Sequence, residues 1–534
     1  MKIKKQKIGL VSLTLLSLGS IIGSGWLFGA GEGAHLAGPA AIFSWIIGAV
    51  IMGFIAIVYT EMGTMFQQSG GMSRFAQYTH GSLLGFIAAW ANWVSLETIL
   101  PIEAVAAVQY LSSWPWPWAR SFHQLMHAGR ITGIGLVVVF IFMGIFTWIN
   151  YYSVNLMARF SNTITWFKII IPTLTFILLL LSGFNAHNLA LTTTNWFPHG
   201  TAPILTATTS AGIIFSYDAF QTVINLGSEI KNPEKNMRRA IIISLALSAV
   251  LYTLLQFTFV GSMPHHLIQL NGWSGINFSS PFAQLAVLLG LNWLSILLYL
   301  DAFVSPFGTG IAFMATTSRS LAAMAENKHL PHFLTEIDSK YHTPHKAMLA
   351  SLLVSIILVI LFPNWGQLAS VIATSTLIAY LTGPVSTVAL RRLAPKFKRP
   401  IKLHNLRFLA PITFVLTSLA VYWGQFPTTW EVMLVILAGM PIYAYYEWKN
   451  HDHQFKQALR GSWWLIIYLL AMAGISLFGS QEFGGLNWLH YPWDLVLVAV
   501  ISIGFYYWGV KSAYAGPDLT EAAKINSKTI EEND

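Results

Sequence analysis

Stretches of about twenty predominantly apolar residues follow one another along almost the whole chain, joined by short connectors that carry most of its charge. A segment of that length crosses a bilayer as a helix whose backbone N–H and C=O groups are bonded within the segment. The pattern therefore points to an all-α polytopic membrane protein. Composition argues against a soluble fold: 55% of the 534 residues are hydrophobic, 10% are charged and 21 are tryptophan, more apolar surface than one core can cover. The apolar runs predict fourteen spans, over 8–36, 40–66, 82–111, 131–151, 156–182, 203–229, 238–262, 291–324, 346–363, 366–391, 408–425, 429–448, 462–480 and 491–511. The run near 280–290 is either the start of span eight or a short helix on the outer face.

Lysine and arginine set the orientation. With a cytoplasmic N-terminus, the inner connectors collect Arg74, Arg159, the Lys231 to Arg239 cluster, Arg319 to Lys346, Arg391 to Arg407 and Lys449 to Arg460, while the outer ones keep only Arg120 and Arg130. Both termini are then expected inside the cell membrane of a multi-pass protein, in tails over 1–7 and 512–534, the second polar enough to stay disordered. The net charge of +9 is spread over these connectors, so it reflects membrane orientation and not nucleic-acid binding. The start, Met1-Lys2-Ile3-Lys4-Lys5, has the basic character of a signal peptide. We read it as leading into an uncleaved span, because cleavage would discard the glycine-rich stretch described next.

Two spans are interrupted by polar or backbone-breaking residues: Gly19-Ser20-Ile21-Ile22-Gly23-Ser24-Gly25 in the first and Phe215-Ser216-Tyr217-Asp218 in the sixth. In lipid, free backbone groups persist only where protein or a water-filled cavity satisfies them, so a matched pair of broken spans marks a midplane binding site. Five spans separate the breaks, an odd number, so span six enters from the side opposite to span one, as an inverted 5+5 repeat requires. The repeats would cover 8–182 and 203–391, a transport core over 8–391, leaving four accessory spans over 408–511.

In the first break, amides near Ile22, Gly23, Ser24 and Gly25 would present positive partial charge to a carboxylate, with Ser20 and Ile21 alongside. Small residues also serve close helix packing, but that needs them four apart on one face, whereas here they crowd consecutive positions. In the second break, carbonyls around Phe215, Ser216 and Tyr217 would accept an ammonium group, with Phe215 as an aromatic lid. Asp218 either contacts the ligand or caps the following half-helix.

The runs Gly19 to Phe28, Glu61-Met62-Gly63 through Ser69-Gly70-Gly71, and Glu229-Ile230-Lys231-Asn232-Pro233-Glu234-Lys235-Asn236 resemble the amino acid-polyamine-organocation (APC) superfamily. With Leu300-Asp301-Ala302, Thr316-Thr317-Ser318-Arg319 and the extra C-terminal spans, the chain is most similar to bacterial permeases of the aspartate-proton symporter type. The resemblance implies the leucine-transporter-type fold, an amino acid held between spans one and six, and alternating access, with no enzyme activity and no cofactor beyond a co-transported proton.

Lys168 lies about twelve residues into span five, and a lysine at bilayer depth is costly unless paired, deprotonated or snorkelling to the interface. Proton-coupled relatives carry a lysine in a similar place. By that resemblance Lys168 would contact carbonyls near Ser20 and Ile21 and a hydroxyl on span eight, Ser305 or Thr309. Asp301 is expected to balance Lys168 or to carry a second proton. Glu97 and Glu103 flank Pro101 in span three, Glu103 nearer the outer end, and Glu61 near the inner end of span two is expected to bond the following loop.

No arginine stands in mid-span to grip a side-chain carboxylate, and Asp218, Glu97 and Asp301 are acidic, which favours a neutral or cationic amino acid over the acidic one the resemblance suggests. Exchange of an amino acid for its amine, or sodium coupling, keeps the same fold. An embedded enzyme or sensor is disfavoured: there is no P-loop, no His-rich metal cluster among the 16 histidines, and no cysteine for thiolate chemistry. A channel should show rings of pore-lining charge.

Overall fold

The structure, a computed structural model, describes residues 7–66, 71–127, 129–152, 154–189, 196–341, 343–450, 455–516 and 518–522. Residues 67–70 of the Glu61 to Gly71 stretch, 1–6 of the N-terminal tail and 523–534 of the C-terminal one lie outside these. Among the described residues the fold is a helical bundle with a single antiparallel strand pair, β1 (Met126–His127) and β2 (Arg130–Ile131), on a connector.

Helices occupy each of the fourteen segments. The first is split into α1 (Leu10–Ile21) and α2 (Gly25–Ala37), followed by α3 (Ala41–Met65), the short α4 (Gly71–His80), α5 (Ser82–Ser112), α6 (Gly133–Tyr152) and α7 (Val154–Ser182). The sixth is split into α8 (Ala202–Ser210), α9 (Ile213–Tyr217) and α10 (Gln221–Asn225). Then come α11 (Pro233–Gly261), the short α12 (His265–Asn271) and α13 (Pro281–Leu288), α14 (Asn292–Glu326), α15 (His345–Leu361), α16 (Trp365–Tyr380) and α17 (Thr382–Leu393). The C-terminal group is α18 (Leu406–Tyr422), α19 (Thr428–Leu437), α20 (Gly439–Asn450), α21 (Phe455–Phe478) and α22 (Trp493–Ser512). The run near 280–290 is thus its own helix, α13.

Among the described residues, ten helical stretches are long and apolar enough to cross a membrane, counting Gly25–Met65 as one. Leu10–Ile21, His345–Leu361 and Leu406–Tyr422 are apolar but shorter. The sixth segment falls outside that count because its pieces are short, which is the consequence of its break.

The molecule is built around α5, which is buried over most of its length and packs along both α14 and α16. Every residue of α16 from Leu368 onward is buried, as is Trp365 at its start. Helices α6 and α7 instead keep large apolar side chains such as Ile141, Trp148 and Ile177 exposed, as lipid-facing helices must.

The two breaks differ in place from the sequence expectation in one respect. In the first, α1 ends at Ile21 and α2 starts at Gly25, so Ile22 to Ser24 bridge the halves as expected. In the second, the interruption is at Ala211 and Gly212, and Phe215 to Tyr217 are helical before a 3-10 turn over Asp218–Phe220. Gly212 is the cause: its φ of 76° is left-handed, and a Cβ there would meet the Trp365 ring. Polar side chains after the glycine drew the expectation four residues too far along.

Candidate functional site

The halves of the two broken segments touch where Gly25 lies against Ser216, so closely that a Cβ on Gly25 would overlap the Ser216 hydroxyl. Ser216 Oγ itself donates to Gly212 O at 2.8 Å, adding to the bond that the same carbonyl accepts from the Ser216 amide at 2.9 Å. Beside this contact lies a cavity of about 20 Å³, lined from the first break by Ser20, Ile21 and Gly23, from the second by Phe215 and Asp218, and also by Glu103 and Thr309. That is the room of about one water, so an amino acid needs the site to expand.

Above the cavity an aromatic layer closes the way to a wider vestibule of about 510 Å³. Trp365 stacks on Phe28 with ring centroids 4.7 Å apart, Tyr110 meets Phe28 edge-on at 5.2 Å, and Phe215 lies 6.3 Å from Trp365. The Trp365 indole donates to Ser24 Oγ at 3.2 Å, tying α16 to the first break. Glu32, His35, Gln109 and Arg130 line the vestibule.

On the opposite side, residues 8 and 230 pair in parallel, with the Ile8 amide donating to Glu229 O at 2.8 Å and the Lys231 amide to Ile8 O at 2.9 Å. Glu61 stands on that side too. It accepts two bonds from Arg391, from Nε at 2.8 Å and from Nη2 at 2.6 Å, and one from the Leu403 amide at 2.9 Å. Glu61 was expected to bond the loop after its own helix, of which residues 67–70 lie outside the described residues; its partners among the described residues are Arg391 in the last turn of α17 and, in the connector that follows, Arg399 and the Leu403 amide.

Lys168 is buried and turned inward. Its ammonium donates to Thr309 Oγ1 at 2.7 Å and to Gly19 O at 3.3 Å. Of the two hydroxyls expected on α14, Thr309 makes the bond and Ser305 does not; the Ser305 hydroxyl is buried and faces Asp301. The backbone acceptor is Gly19, one residue before Ser20, because the Ile21 carbonyl already receives the Tyr252 hydroxyl at 3.2 Å. Asp301 is fully buried, one turn before Ser305, with the Ser305 hydroxyl and the Trp26 indole as the polar groups that face its carboxylate. It acts on Lys168 through space and does not line the central cavity.

Asp218 does not cap the next half-helix. Its carboxylate accepts from Tyr380 Oη at 2.6 Å and from Thr376 Oγ1 at 2.9 Å, both on α16. Thr376 and Tyr380 are four apart and so share one face of that helix. Tyr217 turns away from the cavity, its hydroxyl donating to Trp45 O at 3.3 Å. Glu97 bonds Ser355 on α15 and stays outside the site.

Glu103, expected nearer the outer end of its span and left open between a structural and a functional role, lines the central cavity, and its Oε1 accepts the Ser24 amide at 3.3 Å. Sequence reasoning also passed over Trp365, Thr376 and Tyr380. The available signal was the cluster of hydroxyls in one span, Ser370, Thr374, Ser375, Thr376 and Tyr380, which does not single out the i, i+4 pair; nothing local distinguishes Trp365 from the chain's other tryptophans.

The amino acid permease family model matches residues 8–444. The chain is 46% identical to the glutamate/serine transporter AimA of Bacillus subtilis over 98% of its own length and 97% of that protein's. It is 34% identical to the aspartate-proton symporter of the same organism, over 94% and 96% of the two chains. The branched-chain amino acid permease BcaP, again from B. subtilis, is 25% identical over 84% of this chain and 94% of its own.

Proposed function

The chain belongs to the amino acid permease family as a multi-pass plasma-membrane protein, and on that footing we propose that it is a secondary active transporter that carries a small polar amino acid together with a proton by alternating access. The observation that carries the reading is the meeting of two broken helices at Gly25 and Ser216, with a buried ammonium, Lys168, bonded to the backbone of the first.

The Ile22 and Gly23 amides, expected to be free, already donate to Leu18 O at 2.9 Å and Ile21 O at 3.1 Å, so the amides of Ser24 and Gly25 take the substrate carboxylate, the second break takes its ammonium, and Phe215 covers it. Lys168 couples the proton: its two acceptors are neutral oxygens on α1 and α14, so losing its proton weakens a bond between those two helices. Relatives named for glutamate, serine and aspartate support a small polar substrate. With no arginine at the cavity, an acidic side chain fits only when a proton accompanies it.

The fold reading is fourteen spans with both termini cytoplasmic, the first ten forming an inverted 5+5 repeat and α18 to α22 standing outside it. The pattern of neighbours supports the repeat. Exchanging each of the first five segments for its counterpart five later maps α5 on α6 to α14 on α15, α5 on α15 to α14 on α6, and α5 on α16 to α14 on α7. It likewise maps α1 against α11 to α8 against α3, and each of these pairs is in contact.

The test is uptake by proteoliposomes, alkaline inside, offered a panel of labelled amino acids. Concentrative uptake of L-serine or L-glutamate that vanishes when the pH gradient is collapsed is the expected result. Uptake indifferent to the gradient would remove proton coupling, and no uptake of any amino acid would remove the substrate class.

A further inference from the structure

Resting on the reading of the first break as a carboxylate cradle, we infer that Glu103 is a resident occupant of that cradle, which a substrate carboxylate displaces while a proton moves onto Glu103. Three observations converge. The helix α2 has no side-chain cap of its own, and the amide of its N-cap residue, Ser24, is directed at Glu103 Oε1. Gly23 leaves the approach open: a Cβ there would stand 3.0 Å from Oε1. The second oxygen, Oε2, is fully buried and has no hydrogen-bond partner, although the residue borders the cavity.

The carboxylate thus sits where an anion is expected at a helix N-terminus. An incoming carboxylate needs the same N–H, and one amide hydrogen cannot serve both. The two anions side by side in a buried site cannot both remain ionised. The charged groups facing Glu103 among the described residues are Lys168 from α7, Asp301 from α14 and, across the cavity, Asp218. One ammonium against three carboxylates leaves nothing to neutralise a fourth, whereas α1, α2 and α16 present only neutral groups such as Ser20, Ser24 and Trp365. Hence the exchange: the Ser24 N–H bond passes from Glu103 to the substrate carboxylate, and a proton from solvent attaches to a Glu103 oxygen, whose new O–H becomes a donor. Specificity follows as well, since an amine lacking a carboxylate gains nothing by displacing Glu103.

The sign of the pH effect is set by that uptake. Affinity rises as pH falls, by up to about tenfold per unit, over the range where Glu103 is ionised in the empty site and protonated in the occupied one. The experiment is calorimetric titration of the purified full-length protein with L-serine and L-glutamate in buffers of different ionisation enthalpy. About one proton taken up per ligand is expected in the wild type. In Glu103→Gln that uptake should disappear and the pH dependence of Kd flatten. Should that variant misfold, ligand-induced infrared difference spectra of the wild type decide, through a new band from a protonated carboxyl group. No proton uptake in the wild type, uptake retained by Glu103→Gln, or no such band would overturn the inference while leaving the transporter reading intact. Failure of both amino acids to bind would instead strike at the substrate proposed above.

Discussion

The two breaks perform the same operation on the backbone and differ in what answers the exposed groups. The first is opened over three residues, and its neighbours are ionisable: Glu103 on the Ser24 amide and Lys168 on the Gly19 carbonyl. The second is opened at a left-handed glycine, and its neighbours are hydroxyls: Ser216 on Gly212 O, and Tyr380 and Thr376 on Asp218. A charged partner changes its bonding when a proton arrives, whereas a hydroxyl near neutral pH does not. On the proposed reading, the contrast puts proton sensing at the first break and leaves the second a polar shape whose one ionisable group, Asp218, is held by hydroxyls.

That assignment can be broken by mutation. Lys168→Ala should have the largest effect: proton-driven accumulation in proteoliposomes falls to the equilibrium level, while exchange of internal for external amino acid persists. Wild-type accumulation in the variant would separate the first break from the proton. Gly212→Ala comes next, since the left-handed φ costs about 1–2 kcal/mol for a residue with a Cβ, with the Trp365 clash added. A lower melting temperature in detergent and depressed uptake are expected, with the pH dependence of the residual uptake unchanged. A changed pH dependence would mean the second break is not merely shape.

Asp218→Asn sharpens the comparison from the substrate side. Removing the charge while keeping an acceptor should shift the preference of L-glutamate over L-serine upward by about tenfold, roughly 1.4 kcal/mol, read as the ratio of inhibition constants. An unchanged ratio would put Asp218 outside the substrate's field. The smallest effect is expected for Tyr380→Phe: losing one hydroxyl to a carboxylate costs about 1.5–3 kcal/mol locally, only part of which reaches the substrate, so KM should rise a few-fold with kcat little altered.

Much of this arrangement could be read along the chain and some could not, for physical reasons. Apolar length marks helices, glycine marks broken ones, and a lysine at depth stands out because burial of its charge is costly. Lys168 and the first break were therefore legible at once. The second break was misplaced because its glycine is single and the polar residues after it, which look like an interruption, are the ones that bond to α16 or stay helical. Glu103 was misjudged because its meaning depends on the rotation of α5 about its axis, which brings it to Ser24, 79 positions away in sequence. Thr376, Tyr380 and Trp365 share that difficulty, since a distant span has to pack before they reach anything.

The central claim is that amino acid and proton move together. With membrane voltage clamped at zero, proteoliposomes holding a tenfold outward gradient of the transported amino acid should show no net flux when opposed by about one pH unit, since each gradient is worth about 1.4 kcal/mol. A balance point near one unit, shifting in step as the amino acid gradient is changed, is the predicted result. Net efflux that ignores the pH gradient would contradict it.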